Sequence, residues 1–217
     1  MTTIFLDLDG TLTDPKPGIT KSIVYSLERI GHAAPDPDEL VWAIGPPLWD
    51  TFRELDVPEP LIEPAVQAYR ERYTDVGLYE CTLYPGILET LEELADAGFQ
   101  MNLATSKPHS YARKITAHFG VAPFLTHEFG SELDGANSDK SDLLGHGLAI
   151  SGANPVESVM IGDRKFDAIG AAAHNITMIG ALWGYGGAAE LAEAGVDILA
   201  ETPAQIPDLI RRLRASS

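Results

Sequence analysis

The sequence predicts an α/β protein with a doubly wound parallel sheet and an inserted, smaller α-helical domain. From about residue 84 onward, strand-like apolar runs alternate with helix-like amphipathic runs, which is typical of a parallel sheet covered by helices. Residues 15–81 show helical spacing instead, and 217 residues suffice for one domain of ordinary size plus such an insert. We therefore predict a core formed by residues 1–14 and 82–217 and a helical insert at residues 15–81.

The individual elements are predicted in chain order from the period of their apolar residues. Residues 3–8 alternate like a strand, and the insert contains two amphipathic stretches, "GITKSIVYSLERIG" and "EPAVQAYRERYTDVG", that predict helices. In the core we then predict helix "PGILETLEELADAG", strand "FQMNLATS", helix "PHSYARKITAHFG", strand "THEFG", helix "DKSDLLGHGLAI", strand "SVMIGD", helix "FDAIGAAAHN", strand "ITMIGAL", and a closing strand and helix in "VDILAETPAQIPDLIRRLRAS".

Composition limits the classes of partner. The chain is 45% hydrophobic and 22% charged, which is the balance of a soluble globular protein. Its formal charge of -17 argues against nucleic acid or an anionic membrane surface as a partner, because phosphate backbones are bound by Lys and Arg. The single cysteine, Cys81, the lack of a signal-peptide pattern and the lack of a long apolar run favour a cytoplasmic location without a membrane span.

Polar side chains stand where the predicted strands end. In an open parallel sheet, ligands bind at the carboxyl ends of the strands, so these positions are the informative ones. Any one of them alone is more often a turn or helix-capping residue, but their conjunction indicates a site. The candidates are Asp7, Asp9, Thr105, Ser106, Lys140, Asp163 and Asp167.

Asp7 and Asp9 carry the chemistry of the predicted site. They lie two residues apart on a strand-like run, hence on one face, where two buried carboxylates would repel each other without a cation. Asp7 suits a nucleophile that attacks phosphorus, and Asp9 suits a group that protonates the leaving oxygen and then takes a proton from water. Mg²⁺ prefers oxygen ligands, so the predicted metal set is Asp7, Asp163 and Asp9, the last through a nearby backbone carbonyl.

The remaining candidates are predicted to bind phosphate. The Thr105 hydroxyl and the Lys140 ammonium group would hold the oxygens of the transferring phosphoryl group. Ser106 and the backbone amide of Gly10 would add donors at the same place. For Lys107, the sequence leaves two roles open, attraction of phosphate or a solvent-exposed charge. The "GYGG" segment at residues 184–187 is predicted to be an ordinary loop.

In this order, the motifs resemble those of the haloacid dehalogenase-like (HAD) hydrolases, most of which are phosphatases. "DLDGTLTD" is similar to the first motif of the family, "LATSKP" to the second, "DKSDLL" to the third and "IGDRKFD" to the fourth. The resemblance covers nearly the whole chain and implies a Rossmann-like core, Mg²⁺ dependence and a phosphomonoester substrate. It also implies that residues 15–81 form the small helical cap that the family inserts after its first strand.

The fourth motif departs from its common form. Asp163 is followed by the basic residues Arg164 and Lys165, so Asp167 has to be the second acidic member. Its predicted place is behind the metal ligands, as a partner of Lys140, with direct metal ligation as the alternative.

The resemblance narrows the substrate only partly. Dehalogenases of this family lack an acidic residue two positions after the nucleophile, so the presence of Asp9 disfavours dehalogenation. The "GPPLWDTF" segment is similar to the phosphoglycolate phosphatase and 5'-nucleotidase-like branch and makes Gly45, Pro46 and Pro47 the candidates for specificity in the cap. We rank phosphoglycolate phosphatase first, with a 5'-nucleotidase acting on nucleoside monophosphates or a β-phosphoglucomutase-like phosphomutase as alternatives. A non-enzymatic receiver-like module is disfavoured, because such modules lack an insert of this length and the acid two residues after the phosphorylated aspartate.

Overall fold

The computed structural model describes residues 2–215, which fall into two compact units. The helical unit comprises Asp14–Thr82, and the core unit comprises the rest of the described chain, with Leu83 as the first residue after the insertion. Within residues 2–215, no helix is both long and apolar enough to cross a lipid bilayer.

The core unit is built on a parallel sheet, which confirms the predicted α/β class. Within the described chain this sheet has six strands in the order β5-β4-β1-β6-β7-β8, and every neighbouring pair is parallel. The first strand therefore lies in the middle, with later strands added on both sides, which is the doubly wound arrangement. The strands of the protein are β1 (Thr3–Leu6), β2 (Thr13–Asp14), β3 (Thr82–Leu83), β4 (Gln100–Pro108), β5 (His127–Ser131), β6 (Val159–Gly162), β7 (Thr177–Ala181) and β8 (Ile198–Ala200), of which β2 and β3 form a separate short pair.

Helices α1 to α3 belong to the helical unit and α4 to α9 to the core unit. Their bounds are α1 (Lys16–Arg29), α2 (Leu48–Glu54), α3 (Glu59–Asp75), α4 (Ile87–Asp96), α5 (His109–His118), α6 (Lys140–Ser151), α7 (Lys165–Ala173), α8 (Gly187–Glu193) and α9 (Ile206–Ala215). Short 3-10 helices lie at Pro37–Ala43, Gly77–Tyr79, Ala122–Phe124, Pro155–Glu157 and Pro203–Gln205.

Both faces of the central strands β1 and β6 are buried. Ile4, Leu6 and Ile161 are buried on one face, and Phe5 and Met160 alternate with them on the other. Each fully buried side chain of this size contributes about 1.5–3 kcal/mol. The second face packs against α6 and α7 through a cluster that includes Phe5, Ala104, Phe129, Leu143, Leu144, Met160, Ala168, Ala171 and Met178.

In the helical unit, α1 packs on α3. Ile23 and Leu27 of the predicted apolar stripe are fully buried, and the Ser26 hydroxyl donates to the Ala65 carbonyl at 2.7 Å. Gly18 permits a close approach of the chain, since a Cβ there would lie 2.1 Å from the Gly77 carbonyl oxygen.

Candidate active site

The site forms where β1, β4 and β6 end side by side. Leu6 pairs with Leu103 of β4 and with Ile161 of β6, and the Asp7 amide continues the ladder by donating to the Ile161 carbonyl at 3.0 Å. Because β1 lies between the other two strands, Asp7 emerges at the centre of this edge. The order of the strands thus brings together residues far apart in the sequence.

Three buried carboxylates meet at this edge. Asp7, Asp163 and Asp167 each offer an oxygen, and these oxygens lie within 4.8 Å of one another. Burial, reinforced by the charges of Asp167 and Asp7, raises the pKa of Asp163 well above its ordinary value. Burial also raises the pKa of Asp167 to about 6, against the opposing effect of Lys140. A set of hard oxygens in which negative charge is this costly fits a divalent cation such as Mg²⁺.

Lys140 is the cation that links two of these carboxylates. Its Nζ lies 2.8 Å from Asp7 Oδ1 and 2.7 Å from Asp167 Oδ1, and it donates to the Ala104 carbonyl at 2.9 Å. The contacts with Asp7 and Ala104 are hydrogen bonds, and the contact with Asp167 is an ion pair. Burial lowers the pKa of Lys140, but the Asp167 and Asp7 carboxylates more than offset this and raise it above its ordinary value. Lys140 therefore stays charged and holds the Asp7 carboxylate in place.

The start of α6 explains how Lys140 reaches this point. The Asp139 side chain caps the helix by accepting from the amides of Ser141 and Asp142 at 2.8 and 3.2 Å, so Lys140 is the first helical residue. Gly170 of α7 leaves room for it, since a Cβ at that position would lie 2.7 Å from Lys140 Cγ. The Asp167 carboxylate also accepts from the Arg164 amide at 3.2 Å, and whether it stands behind the metal ligands or ligates the metal directly stays a prediction.

Asp163 is held by two other segments of the chain. The Thr11 hydroxyl donates to Asp163 Oδ1 at 3.0 Å, and the Tyr185 amide donates to Oδ2 at 2.8 Å. The Trp183 indole N–H donates to the Thr11 carbonyl at 2.9 Å and so ties these two segments together. Asp163 is thereby fixed in position as well as buried.

Glycines make the close approach to Asp163 possible. Gly10 has φ 88°, and a Cβ there would lie 2.2 Å from Asp163 Oδ2. Side chains at Gly184 and Gly186 would meet Asp163 atoms at 2.3 and 2.1 Å. The segment 184–187, predicted from the sequence to be an ordinary loop, thus lies directly against Asp163. Its density of glycines immediately after an apolar strand was the available signal.

Asp9 does not join the carboxylate cluster but pairs with Lys107. The Lys107 Nζ lies 2.6 Å from Asp9 Oδ2, whereas the buried Asp9 Oδ1 has no hydrogen-bond partner within the described chain. Burial raises the pKa of Asp9, and the Lys107 charge opposes that rise. The structure thus gives the two strand-end carboxylates different partners: Lys140 for Asp7 and Lys107 for Asp9.

The predicted phosphate-binding residues of β4 face different surroundings. The Thr105 hydroxyl accepts from the Lys107 amide at 3.2 Å, so its own proton can be donated to a ligand. The Ser106 hydroxyl donates to the Ser138 carbonyl at 3.0 Å, and the role of Ser106 in phosphate binding stays a prediction. Gly10 lies beside Asp163, and its backbone amide, predicted to bind phosphate, donates instead to the Thr13 carbonyl at 2.8 Å.

The cap candidates lie in the helical unit. Gly45, Pro46 and Pro47 form the turn before α2, and Gly45 has φ 115°. They belong to a different unit from the residues at the ends of β1, β4 and β6, and their role in specificity stays a prediction.

Comparison with known proteins gives one family. A protein-family model described as "Haloacid dehalogenase-like hydrolase" matches residues 4–181, a span that contains every candidate residue described above. Among solved structures, a predicted phosphatase from Clostridium acetobutylicum superposes with a TM-score of 0.91 at 34% identity, covering 99% of this chain and 98% of that one.

Curated relatives carry several names. A protein named 5'-nucleotidase from Pseudomonas aeruginosa is 42% identical over 189 residues, covering 87% of this chain and 86% of the relative. A protein named Tyrosine-protein kinase PtkA from Mycobacterium tuberculosis is 40% identical over 183 residues, which are 84% of this chain but only 62% of that protein. A protein named Phosphoglycolate phosphatase from Vibrio parahaemolyticus is 24% identical over 216 residues, covering 95% of each chain.

Proposed function

Because the chain belongs to the haloacid dehalogenase-like hydrolases and is a phosphomonoester hydrolase, we propose that it cleaves small phosphate esters through a phosphorylated Asp7 in the presence of Mg²⁺. The observation that carries this proposal is the position of Asp7. It is a buried carboxylate at the centre of the sheet edge, held by Lys140 at 2.8 Å and adjacent to two further carboxylates.

In the first half of the proposed reaction, an oxygen of Asp7 attacks phosphorus and the bond from phosphorus to the ester oxygen breaks. Asp9 gives its proton to that departing oxygen. In the second half, Asp9 takes a proton from water, the water oxygen attacks phosphorus, and the bond to Asp7 breaks to release phosphate. Lys140 keeps the Asp7 carboxylate oriented throughout.

The charge on the transferring group requires donors and a cation. The Thr105 hydroxyl has a proton to donate, and the Ser106 backbone amide is the further donor that we propose. The Gly10 amide is left out because it already donates to the Thr13 carbonyl at 2.8 Å. Asp7 and Asp163 are the proposed metal ligands, with a carbonyl near Asp9 as predicted from the sequence and Asp167 behind them as the partner of Lys140. When bound there, Mg²⁺ would supply positive charge next to the transferring oxygens.

For the substrate, the relatives change the order that the sequence motifs give. The relative named 5'-nucleotidase is 42% identical, whereas the relative named phosphoglycolate phosphatase is 24% identical. We therefore propose nucleoside monophosphates as the first substrate class and phosphoglycolate as the second.

The test is a comparison of kcat/KM on the purified protein with Mg²⁺. The panel contains several nucleoside monophosphates, phosphoglycolate, sugar phosphates, a hexose phosphate primed with its bisphosphate, and a tyrosine phosphopeptide. The phosphopeptide is included because of the relative named as a tyrosine-protein kinase. We expect the highest kcat/KM for a nucleoside monophosphate, and a phosphopeptide cleaved as efficiently as the best small ester would contradict the proposed substrate class.

The intermediate is tested separately. We expect Asp7→Asn to abolish turnover while the far-ultraviolet circular dichroism spectrum is retained, and we expect acid-quenched wild-type protein to carry a phosphoryl group on the peptide that contains Asp7. Wild-type turnover by Asp7→Asn, with reversion to Asp excluded by mass spectrometry, would refute the assignment.

A further inference from the structure

Lys107 is a buried cation that the proposed mechanism does not yet use. Its side chain is 5% exposed and its Nζ lies 2.6 Å from Asp9 Oδ2, whose side chain is 14% exposed. Taking an ammonium group and a carboxylate out of water costs several kcal/mol per ion, and this cost is recovered only with good geometry. An ion pair placed at this depth, on the proposed proton donor, therefore calls for a functional explanation.

Lys107 lies in an irregular part of strand β4. β4 pairs regularly with β5 up to Thr105, opposite Gly130, and the register then shifts before Pro108 pairs with Ser131. Such a bulge turns a side chain away from the regular alternation of a strand. The Lys107 amide is bonded to the Thr105 hydroxyl, and a Cβ at Gly130 would lie 2.8 Å from the Lys107 carbonyl oxygen, so the strand β5 packs tightly against the bulge.

The charges of the site favour a second lysine. The carboxyl groups of Asp7, Asp9, Asp163 and Asp167 lie at the same edge of the sheet, and Lys140 pairs with Asp7 and Asp167. The neighbouring Arg164 guanidinium is paired with Glu190 at 2.9 Å. Lys107 is therefore the cation that faces Asp9.

We propose that Lys107 is a positioning residue that holds the carboxylate of Asp9 in the orientation needed for proton transfer, an inference that rests on the proposed phosphatase mechanism. Asp9 Oδ2 is engaged by Lys107, which leaves Oδ1, the buried oxygen with no partner among the described residues, to carry the proton. As the bond between phosphorus and the ester oxygen breaks, the electron pair goes to that oxygen and the proton moves to it from Oδ1. No bond of Lys107 is made or broken.

The identity of the leaving group distinguishes a role in proton transfer from a general effect of Lys107 on activity. Cleavage of an alkyl phosphate requires protonation of a poor leaving group, whereas p-nitrophenolate leaves without a proton. Because kcat/KM reports the steps up to the first bond cleavage, it isolates the half-reaction in which Asp9 is an acid. We expect Lys107→Met to lower kcat/KM for the best nucleoside monophosphate by about 10²-fold and for p-nitrophenyl phosphate by less than about 10-fold.

Two controls separate the possible failures. Lys114→Met makes the same chemical change at an exposed position of the following helix and should leave both values unchanged. Asp9→Asn should show the same selective loss as Lys107→Met. If Asp9→Asn does not discriminate between the two esters, the acid role in the proposed function is refuted. If Asp9→Asn discriminates and Lys107→Met does not, only the present inference is overturned.

A double variant covers the case in which Lys107→Met does not fold because it leaves Asp9 unpaired. Asp9→Asn combined with Lys107→Met removes both charges, and residues that act as a unit show non-additive effects. We expect the double variant to retain the ester selectivity of Asp9→Asn, and Lys107→Arg to recover part of the activity on the nucleoside monophosphate. A further large loss in the double variant, equal for the two esters, would show that Lys107 acts independently of Asp9 and would overturn the inference.

Discussion

Asp167→Asn should change how the stability of the metal-free protein depends on pH. Burial raises the pKa of Asp167 from its ordinary value of 3.8 to about 6 in the folded protein. The folded state therefore binds this proton more tightly than the unfolded state does. A shift of about 2 units at about 1.4 kcal/mol per unit corresponds to about 3 kcal/mol.

The sign follows from the direction of the shift. Protonated Asp167 costs the folded state little, so this contribution is absent below about pH 4. As the pH rises from about 4 to about 6, the folded state must either keep the proton or bury a charge, and wild-type stability falls relative to Asp167→Asn by about 3 kcal/mol. Above about pH 6 the difference is constant. The effect of Lys140 is already contained in the pKa of about 6 for Asp167, and Lys140 itself does not titrate in this range because its pKa is raised above its ordinary value.

The assay is urea denaturation of both proteins in the presence of a chelator, between about pH 4 and about pH 7. Trp183 lies in the core unit, while the other two tryptophans, Trp42 and Trp49, lie in the helical unit. A background with Phe at positions 42 and 49 therefore makes fluorescence a reporter of the core unit alone. A difference in the free energy of unfolding that stays constant over the whole pH range would refute the argument that burial raises the pKa of Asp167.

Three further predictions concern the metal, the packing around Lys140 and a buried amide. A chelator should abolish activity and Mg²⁺ should restore it while Ca²⁺ restores little, because looser coordination misplaces the Asp7 carboxylate; full activity after exhaustive chelation would contradict the metal-dependent proposal. Gly170→Ala should lower kcat/KM and destabilise the fold by about 1–3 kcal/mol, since the new Cβ would lie 2.7 Å from Lys140 Cγ, and unchanged kinetics would show that Lys140 can shift without cost. Asn102→Leu should raise the urea midpoint by an amount equivalent to about 1–3 kcal/mol, because both polar atoms of this fully buried amide lack a partner in the described part of the chain; a lower midpoint would mean that the amide is satisfied by bound water.

The fold can be predicted from the sequence because the local pattern of apolar residues and the packing of the whole sheet favour the same arrangement. The apolar run at β1 is buried on both faces, and helix and strand patterns alternate through the core unit, so a parallel sheet is the arrangement that buries both. The same rule places strand ends together, which is why Asp7 and Asp163 could be paired from the sequence although 156 positions separate them in the numbering. Lys140 is a similar case, since a helix that follows one strand of the sheet and packs beside another starts at the same edge.

The partners within the site could not be predicted in this way. Strand alternation separates Thr105 from Ser106 and gives no indication that a bulge turns Lys107 towards Asp9. The contact between Tyr185 and Asp163 depends on a backbone amide, which every residue except proline carries, so the identity of the side chain at 185 does not reveal it. The glycines are the sequence signal of this close approach, because a Cβ at Gly184 or Gly186 would collide with Asp163.

The strong negative charge of the chain and the proposed anionic substrate are reconciled by the way the site distributes its cations. A net charge of -17 repels a phosphate ester at long range, but salt screens exposed charges beyond about 10 Å. Inside the site the screening is weaker, and there Lys140 and Lys107 each face one of the two carboxylates at the end of β1. Under the proposed mechanism, Lys140 keeps the Asp7 carboxylate aligned for attack, while Lys107 holds one oxygen of Asp9 and leaves the other for the proton.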